Sequence, residues 1–195
     1  MPLPKDAELL RFIAEQEKLE TTVAKFGLRR DRLVKILKRA ADLVDADEKP
    51  TLANTAGLPK NLHRVRIYSD GAARGNPGPS GAGAVLVAPN GQVVERLGKY
   101  LGVQTNNFAE YTALILGLQR AYELGVDEVE VFADSELIIR QLSGRYQVKS
   151  SSLRPLYEQA LKLLNEFSRV KLVHVPREMN AAADEMSNKA IDERL

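Results

Sequence analysis

At 195 residues the chain has room for one domain of ordinary size and a small appendage, but not for two full domains. A composition of 44% apolar and 28% charged residues excludes a chain that is disordered or fibrous throughout, and zero cysteines exclude disulfides, thiolate nucleophiles and Cys-ligated metals. Only two histidines leave carboxylates as the main metal ligands on offer, no apolar run approaches the ~20 residues of a membrane span, and the start Met1-Pro2-Leu3-Pro4-Lys5-Asp6 lacks a signal-peptide pattern, which points to the cytoplasm.

The net charge of +2 is unevenly spread: residues 1–60 carry 12 Lys/Arg against 10 Asp/Glu, residues 61–195 carry 16 of each. The excess lies between Lys25 and Arg39, where Lys25, Arg29, Arg30, Arg32, Lys35, Lys38 and Arg39 face one acid, Asp31. Such a run is either a solvated helix face or a patch that meets phosphates. Around it, Leu9, Leu10 and Ile13, then Val23, Phe26, Leu33, Ile36, Leu37, Ala40 and Leu43, recur at helical spacing with a break at Gly27. Residues 1–44 are therefore expected to form a small all-α domain of two or three short helices. Residues 27–39 have the look of the second half of a helix-turn-helix, though the preceding spacing fits poorly. Three uses stay open for this domain: nucleic-acid affinity, a protein–protein contact, or a passive cap. Residues 45–63, with two prolines, a glycine and few large apolar groups, read as a linker.

From Arg64 the period changes to two. Residues 65–70 read as a strand ending at Asp70, followed by the glycine- and proline-rich residues 71–83. A second strand at 83–89, a turn at Pro89-Asn90-Gly91 and a third strand at 92–101 make a hairpin. A helix follows at 106–124, stopped by Gly125, then a strand at 128–134 and a helix from Ser135 to Leu142. A helix at 153–167, a strand at 169–175 and a closing helix at 179–191 complete the chain. The order βββαβααβα predicts an α/β domain over 64–195, a mixed five-stranded sheet flanked by helices.

Four acids stand out. Asp70 closes the first strand, where a turn Asp is the ordinary alternative. Glu110 heads the stripe Leu114, Gly117 and Leu118 that faces the sheet, a costly place for a carboxylate unless it lies at the rim near the helix start. Asp134 follows the fourth strand, either as a helix N-cap or at the strand end where open α/β sheets place ligands. Asp184 lies one turn after Asn180 across Ala181-Ala182-Ala183, small residues that let the helix come close to the sheet; a solvated surface acid is the alternative. Acids at two strand ends and on two helices can meet at one edge of the sheet. Carboxylates gathered there repel unless divalent cations neutralise them, and hard oxygen ligands select Mg²⁺ or Mn²⁺. Two such ions about 4 Å apart suit in-line displacement at phosphorus.

The run Asp70-Gly71-Ala72-Ala73-Arg74-Gly75-Asn76-Pro77-Gly78-Pro79 is followed by Thr105-Asn106-Asn107, Ala109-Glu110, Ala133-Asp134-Ser135, Asn180 and Ala183-Asp184. In that order these pieces resemble a type 1 ribonuclease H across residues 64–192. The resemblance implies that Asp70, Glu110, Asp134 and Asp184 are catalytic metal ligands. It also implies hydrolysis of the RNA strand of an RNA–DNA hybrid by a two-metal mechanism that leaves 3′-hydroxyl and 5′-phosphate ends. Asn76, Asn106 and Asn107 match residues lining the hybrid's shallow groove, with Gly71, Asn180 and Arg177 as further substrate contacts; amide groups and close backbone sense 2′-hydroxyls without reading sequence.

Two departures from the family pattern concern proton transfer and grip. His174 has the spacing of a histidine that some members use for proton transfer or product release, but the surrounding Val173-His174-Val175-Pro176-Arg177-Glu178 does not match. It is either catalytic or part of the strand, with Arg177 nearer the phosphate. Many members also carry a basic, tryptophan-bearing protrusion; residues 144–152 are short and the chain has no tryptophan, as in the branch without that handle. Arg145, Tyr146 and Lys149 are candidates for backbone contacts, or a plain solvated loop. The partners expected are an RNA–DNA hybrid and, through the basic N-terminal helices, other nucleic acid, with no membrane; the oligomeric state is left open. A catalytically silent nucleic-acid-binding module and a related nuclease on the same fold are the alternatives.

Overall fold

The computed structural model describes residues 13, 19–26, 29–30, 33–34, 37–38, 40 and 62–195. The chain divides into two units, Met1–Gly57 and Leu58–Leu195. In the first, helix α1 (Glu20–Phe26) carries Glu20 in its first turn and Lys25 in its last, the arrangement that complements the helix dipole. The side chains of Lys25, Arg29, Arg30 and Lys38 are exposed, and Arg30 pairs with Glu20 at 3.6 Å. Gly27, the remainder of the basic run and residues 45–61 of the linker lie outside the described residues.

In the second unit the strands are β1 (Arg64–Ala73), β2 (Gly78–Val87), β3 (Val93–Gln104), β4 (Glu128–Ala133) and β5 (Arg169–His174). They form one sheet in the order β3-β2-β1-β4-β5. The first three are antiparallel neighbours, while β4 runs parallel to both β1 and β5. The helices are α2 (Asn106–Glu123), α3 (Glu136–Leu142), α4 (Arg154–Leu164) and α5 (Ala181–Glu193). The expected mixed five-stranded α/β architecture is thus borne out, element for element. Among the described residues no helix is long and apolar enough to cross a membrane.

Alternation fixes which side of each strand is buried. Val65, Ile67 and Ser69 on β1, and Val129, Val131 and Ala133 on β4, are all buried. Of these, Val65, Ile67, Val129 and Val131 share one core with Leu114, Leu118 and Ala121 of α2, whose start is capped by the Thr105 hydroxyl accepting from the Phe108 N–H at 3.3 Å. Gly125, at φ +77°, turns the chain out of that helix. Each fully buried Leu or Ile here contributes roughly 1.5–3 kcal/mol.

One expectation needs correcting. The first strand does not end at Asp70, and the glycine-rich residues 71–83 are mostly sheet: β1 and β2 stay paired out to Ala73↔Ser80, and only residues 74–77 turn. Here the glycines serve close packing. A Cβ on Gly83 would stand 2.3 Å from the Ser187 nitrogen and 2.4 Å from the Ala183 oxygen, so helix α5 lies with its backbone directly on β2. Asp70 is consequently inside β1 rather than at its end.

Candidate active site

Parallel strands expose the same ends at the same edge of a sheet. Ser69 of β1 is register partner of Ala133 of β4, so Asp70 and Asp134 come next on neighbouring strands. Glu110 reaches them from α2, which touches β1 backbone to backbone at Gly71: a Cβ there would lie 2.1 Å from the Glu110 nitrogen. One oxygen each from Asp70, Glu110 and Asp134 lies within 4.8 Å of the others. The helix cap after β4 is Ser135, which leaves Asp134 to the cluster.

Burial dominates the electrostatics. It pushes the Asp70 carboxyl up to about 6, opposed by a hydrogen bond from Ser187, reinforced by the charges of Asp134 and Asp184, and eased slightly by the nearby Arg177 charge. Glu110, 8% exposed, is pushed up to about 9 by burial first and then by Asp70 and Asp134; the Gly71 N–H and the Asn106 amide pull the other way. Among the described residues no Lys or Arg pairs with these three acids. Three crowded carboxylates whose direct hydrogen bonds come from neutral donors, with Arg177 acting on Asp70 and Asp134 only through space, fit a divalent cation with hard oxygen ligands.

The fourth acid is set apart. Asp184, in the first turn of α5, lines the same cavity of about 380 Å³, but its Oδ1 accepts from Arg177 at 2.5 Å and its Oδ2 from the Asn188 amide at 3.4 Å. The cavity therefore holds a tight inner trio and one acid at the rim, tied to a cation.

Residues 68–190 match the reverse transcriptase-like family model. Over 154 residues the chain is 40% identical to the ribonuclease HI of Halobacterium salinarum, covering 79% of this chain and 77% of that one. The chain belongs to the type 1 ribonuclease H family. It is also 45% identical over 130 residues to the bifunctional protein Rv2228c of Mycobacterium tuberculosis, matching 66% of this chain but only 36% of that longer protein. Among solved structures, LC11-RNase H1 from compost, crystallised in complex with an RNA/DNA hybrid, superposes with a TM-score of 0.64 at 44% identity, covering 67% of this chain and 98% of that one.

The ribonuclease H fold gathers some of the expected substrate contacts and not others. Gly71, Asn106 and Arg177 line the cavity with the acids. Asn76 sits in the turn between β1 and β2, where its Oδ1 accepts from the Asn106 N–H at 3.2 Å and so ties that turn to the start of α2. Asn107 is half-buried and outside the cavity lining. Asn180, expected to touch substrate, is 1% exposed; its amide donates to the Ser69 oxygen at 2.9 Å and to Asp134 Oδ1 at 3.2 Å, so it props Asp134 from below. His174 ends β5 with its Nε2 3.2 Å from the Asp134 carbonyl oxygen, outside the cavity lining. Arg145 and Lys149 are exposed, and the Tyr146 hydroxyl accepts from Arg140, whose guanidinium lies 5.1 Å over the ring.

Two site residues escaped the sequence reading. Ser187, fully buried, has its hydroxyl 2.6 Å from Asp70 Oδ2, and Asn188 lines the cavity beside Asp184. Ser187 lies three residues after Asp184 on α5, a spacing that puts the two on one side of the helix but does not say which of them meets Asp70.

Proposed function

We propose that this ribonuclease H acts in the cytoplasm as an endonuclease on the RNA strand of RNA–DNA hybrids, with two divalent cations, leaving 3′-hydroxyl and 5′-phosphate ends. The observation that carries the reading is the trio Asp70, Glu110 and Asp134, with one oxygen of each within 4.8 Å of the others and, among the described residues, no salt bridge to any of them. Together with Asp184 they would hold Mg²⁺ or Mn²⁺. Bound there, such cations supply Lewis acidity to a water and to the leaving oxygen of a phosphodiester.

The protein's own groups place the strand. Asn106, hydrogen-bonded to Glu110 at 3.4 Å, puts an amide at the cavity wall, and the Asn76 turn is fastened beside it. With Asn107 and the backbone at Gly71 they face the sugar edge, where the 2′-hydroxyl marks RNA. Arg177 meets a phosphate at the rim. Asn180 acts through Asp134, and His174, beside the same stretch of backbone, assists product release. The helical first domain, residues 1–44 joined by the linker 45–63, adds phosphate contacts through its basic run. Deleting residues 1–60 then raises KM for hybrid, and the increase shrinks as salt rises.

The test is a cleavage panel of end-labelled hybrid, duplex RNA and duplex DNA with Mg²⁺, Mn²⁺ or EDTA. Hybrid is cut with either metal, giving 5′-phosphate products, and EDTA stops the reaction. Hybrid bound but left intact in both metals would identify a silent binding module, and cleavage of duplex DNA a related nuclease.

A further inference from the structure

We infer that Ser187 is a positioning residue for the proposed reaction: its hydroxyl fixes the orientation of Asp70 within the carboxylate cluster. This deepens the reading above and rests on it.

The contact follows from sheet register. Asp70 on β1 is the pairing partner of Gly83 on β2. Because Gly83 has no side chain, α5 rests its backbone at Ser187 on that glycine, and Gly81 repeats the approach with a Cβ position 2.4 Å from the Ser187 oxygen. Ser187 is thereby set beside the neighbouring strand's carboxylate, its Oγ 2.6 Å from Asp70 Oδ2 and the residue 0% exposed.

A serine inside a helix ordinarily returns its hydrogen to a carbonyl one turn back. That acceptor exists here, the Asp184 oxygen at 2.9 Å, so one hydrogen faces two acceptors. Two features decide between them. The carboxylate is nearer, and a bond to a charged acceptor is the stronger kind. The Asp184 carbonyl is also served by the Asn188 amide at 2.9 Å, so it is not stranded when Ser187 turns away. The hydrogen therefore goes to Asp70. Its Oδ2 is pinned, and the plane of the carboxyl is set before any ligand arrives. Without the hydroxyl, Asp70 keeps its place on the strand but loses its orientation.

The test uses the full chain and Ca²⁺, an oxygen-seeking probe, in calorimetric titrations of wild type, Ser187→Ala, Ser187→Cys and Ser80→Ala. Ser80 is a matched control: it too is fully buried on β2, but its hydroxyl donates to the Gly102 oxygen, off the cavity. Ser187→Ala weakens Ca²⁺ binding about tenfold, the usual scale for losing a group that orients a metal ligand. Ser187→Cys, with a weaker donor, falls between, and Ser80→Ala matches wild type. With Mg²⁺, Ser187→Ala lowers kcat and leaves KM for hybrid unchanged. Equal affinity in wild type and Ser187→Ala overturns the inference, as does an equal loss in Ser80→Ala. Should Ser187→Ala not fold, wild-type affinity in Ser187→Cys overturns it. Wild type binding no Ca²⁺ at all brings down the carboxylate reading itself, a separate result.

Discussion

Glu110 and Asp184 border the same cavity in opposite circumstances. Glu110 is buried against the Gly71 backbone, where its company is two other carboxylates and two neutral donors. The Asp184 side chain is 28% exposed and already neutralised by Arg177. The inner acids are organised at the expense of folding stability, since desolvated like charges oppose the compact state. The rim acid costs the fold little and can exchange one cationic partner for another. One cavity thus combines a rigid part, built from two neighbouring strands and a helix touching backbone to backbone, with an adaptable part on the first turn of another helix.

The contrast is broken most severely at its rigid side. Asp134→Asn or Asp70→Asn is expected to lower kcat by about 10³-fold or more while the melting temperature stays within a few degrees. The Asp134 replacement keeps a carbonyl oxygen for the Asn180 amide, so circular dichroism and melting separate lost chemistry from lost fold. Wild-type turnover in either purified variant would dissolve the inner cluster as a catalytic unit. Asp184→Asn, at the adaptable side, is expected to cost less, about 10- to 100-fold in kcat, because the trio within 4.8 Å is left whole. A loss as deep as that of Asp134→Asn would erase the distinction.

Much of this division was hidden in the sequence, for identifiable reasons. Alternation on β1 and β4 exposed both strands, and parallel pairing sends Asp70 and Asp134 to one edge, so two acids of the trio followed from pattern alone. The separation of Asp184 depends on where Arg177 lies in space, seven residues away across a 3-10 turn at Arg177–Met179. No periodicity encodes that. Gly81 falls outside the expected strands because glycine usually interrupts them; here the missing side chains of Gly81 and Gly83 admit α5, which is visible only once the helix is docked. Ser187 and Asn188 are ordinary neutral helix residues until that docking turns one toward Asp70 and the other toward Asp184.

The stability side of the comparison has a definite sign with pH. Glu110 is raised from 4.5 to about 9 in the folded protein, so between those values the folded chain holds a proton that the unfolded chain gives up. The Glu110 contribution to the stability of the metal-free protein is therefore fully present below about pH 4.5 and is lost as pH climbs toward 9. Asp70, raised from 3.8 to about 6, adds a loss of the same sign in a narrower window. In EDTA at pH 8, Glu110→Gln is expected to exceed wild type by on the order of 2 kcal/mol in urea melts, although its activity falls. Its remaining decline should be confined to below about pH 6, the Asp70 part. Added Ca²⁺ should stabilise wild type more than the variant and reverse their order. Metal-free melts that do not change between pH 5 and pH 9 would remove the desolvated cluster.

The smallest effect sharpens the comparison at the rim. Arg177 has its guanidinium on Asp184 and its side chain 73% exposed, so it can leave that acid for a substrate phosphate at little cost. Arg177→Ala is expected to raise KM for hybrid by about three- to fivefold and to lessen the salt dependence of binding by about one phosphate contact. The change in kcat should be small, because Arg177 pairs with the rim acid and acts on Asp70 and Asp134 only through space. A KM unchanged at every salt concentration would confine Arg177 to holding Asp184, and a fall in kcat alone would place it with the rigid part. The two parameters, measured together across salt, decide on which side of the cavity this cation acts.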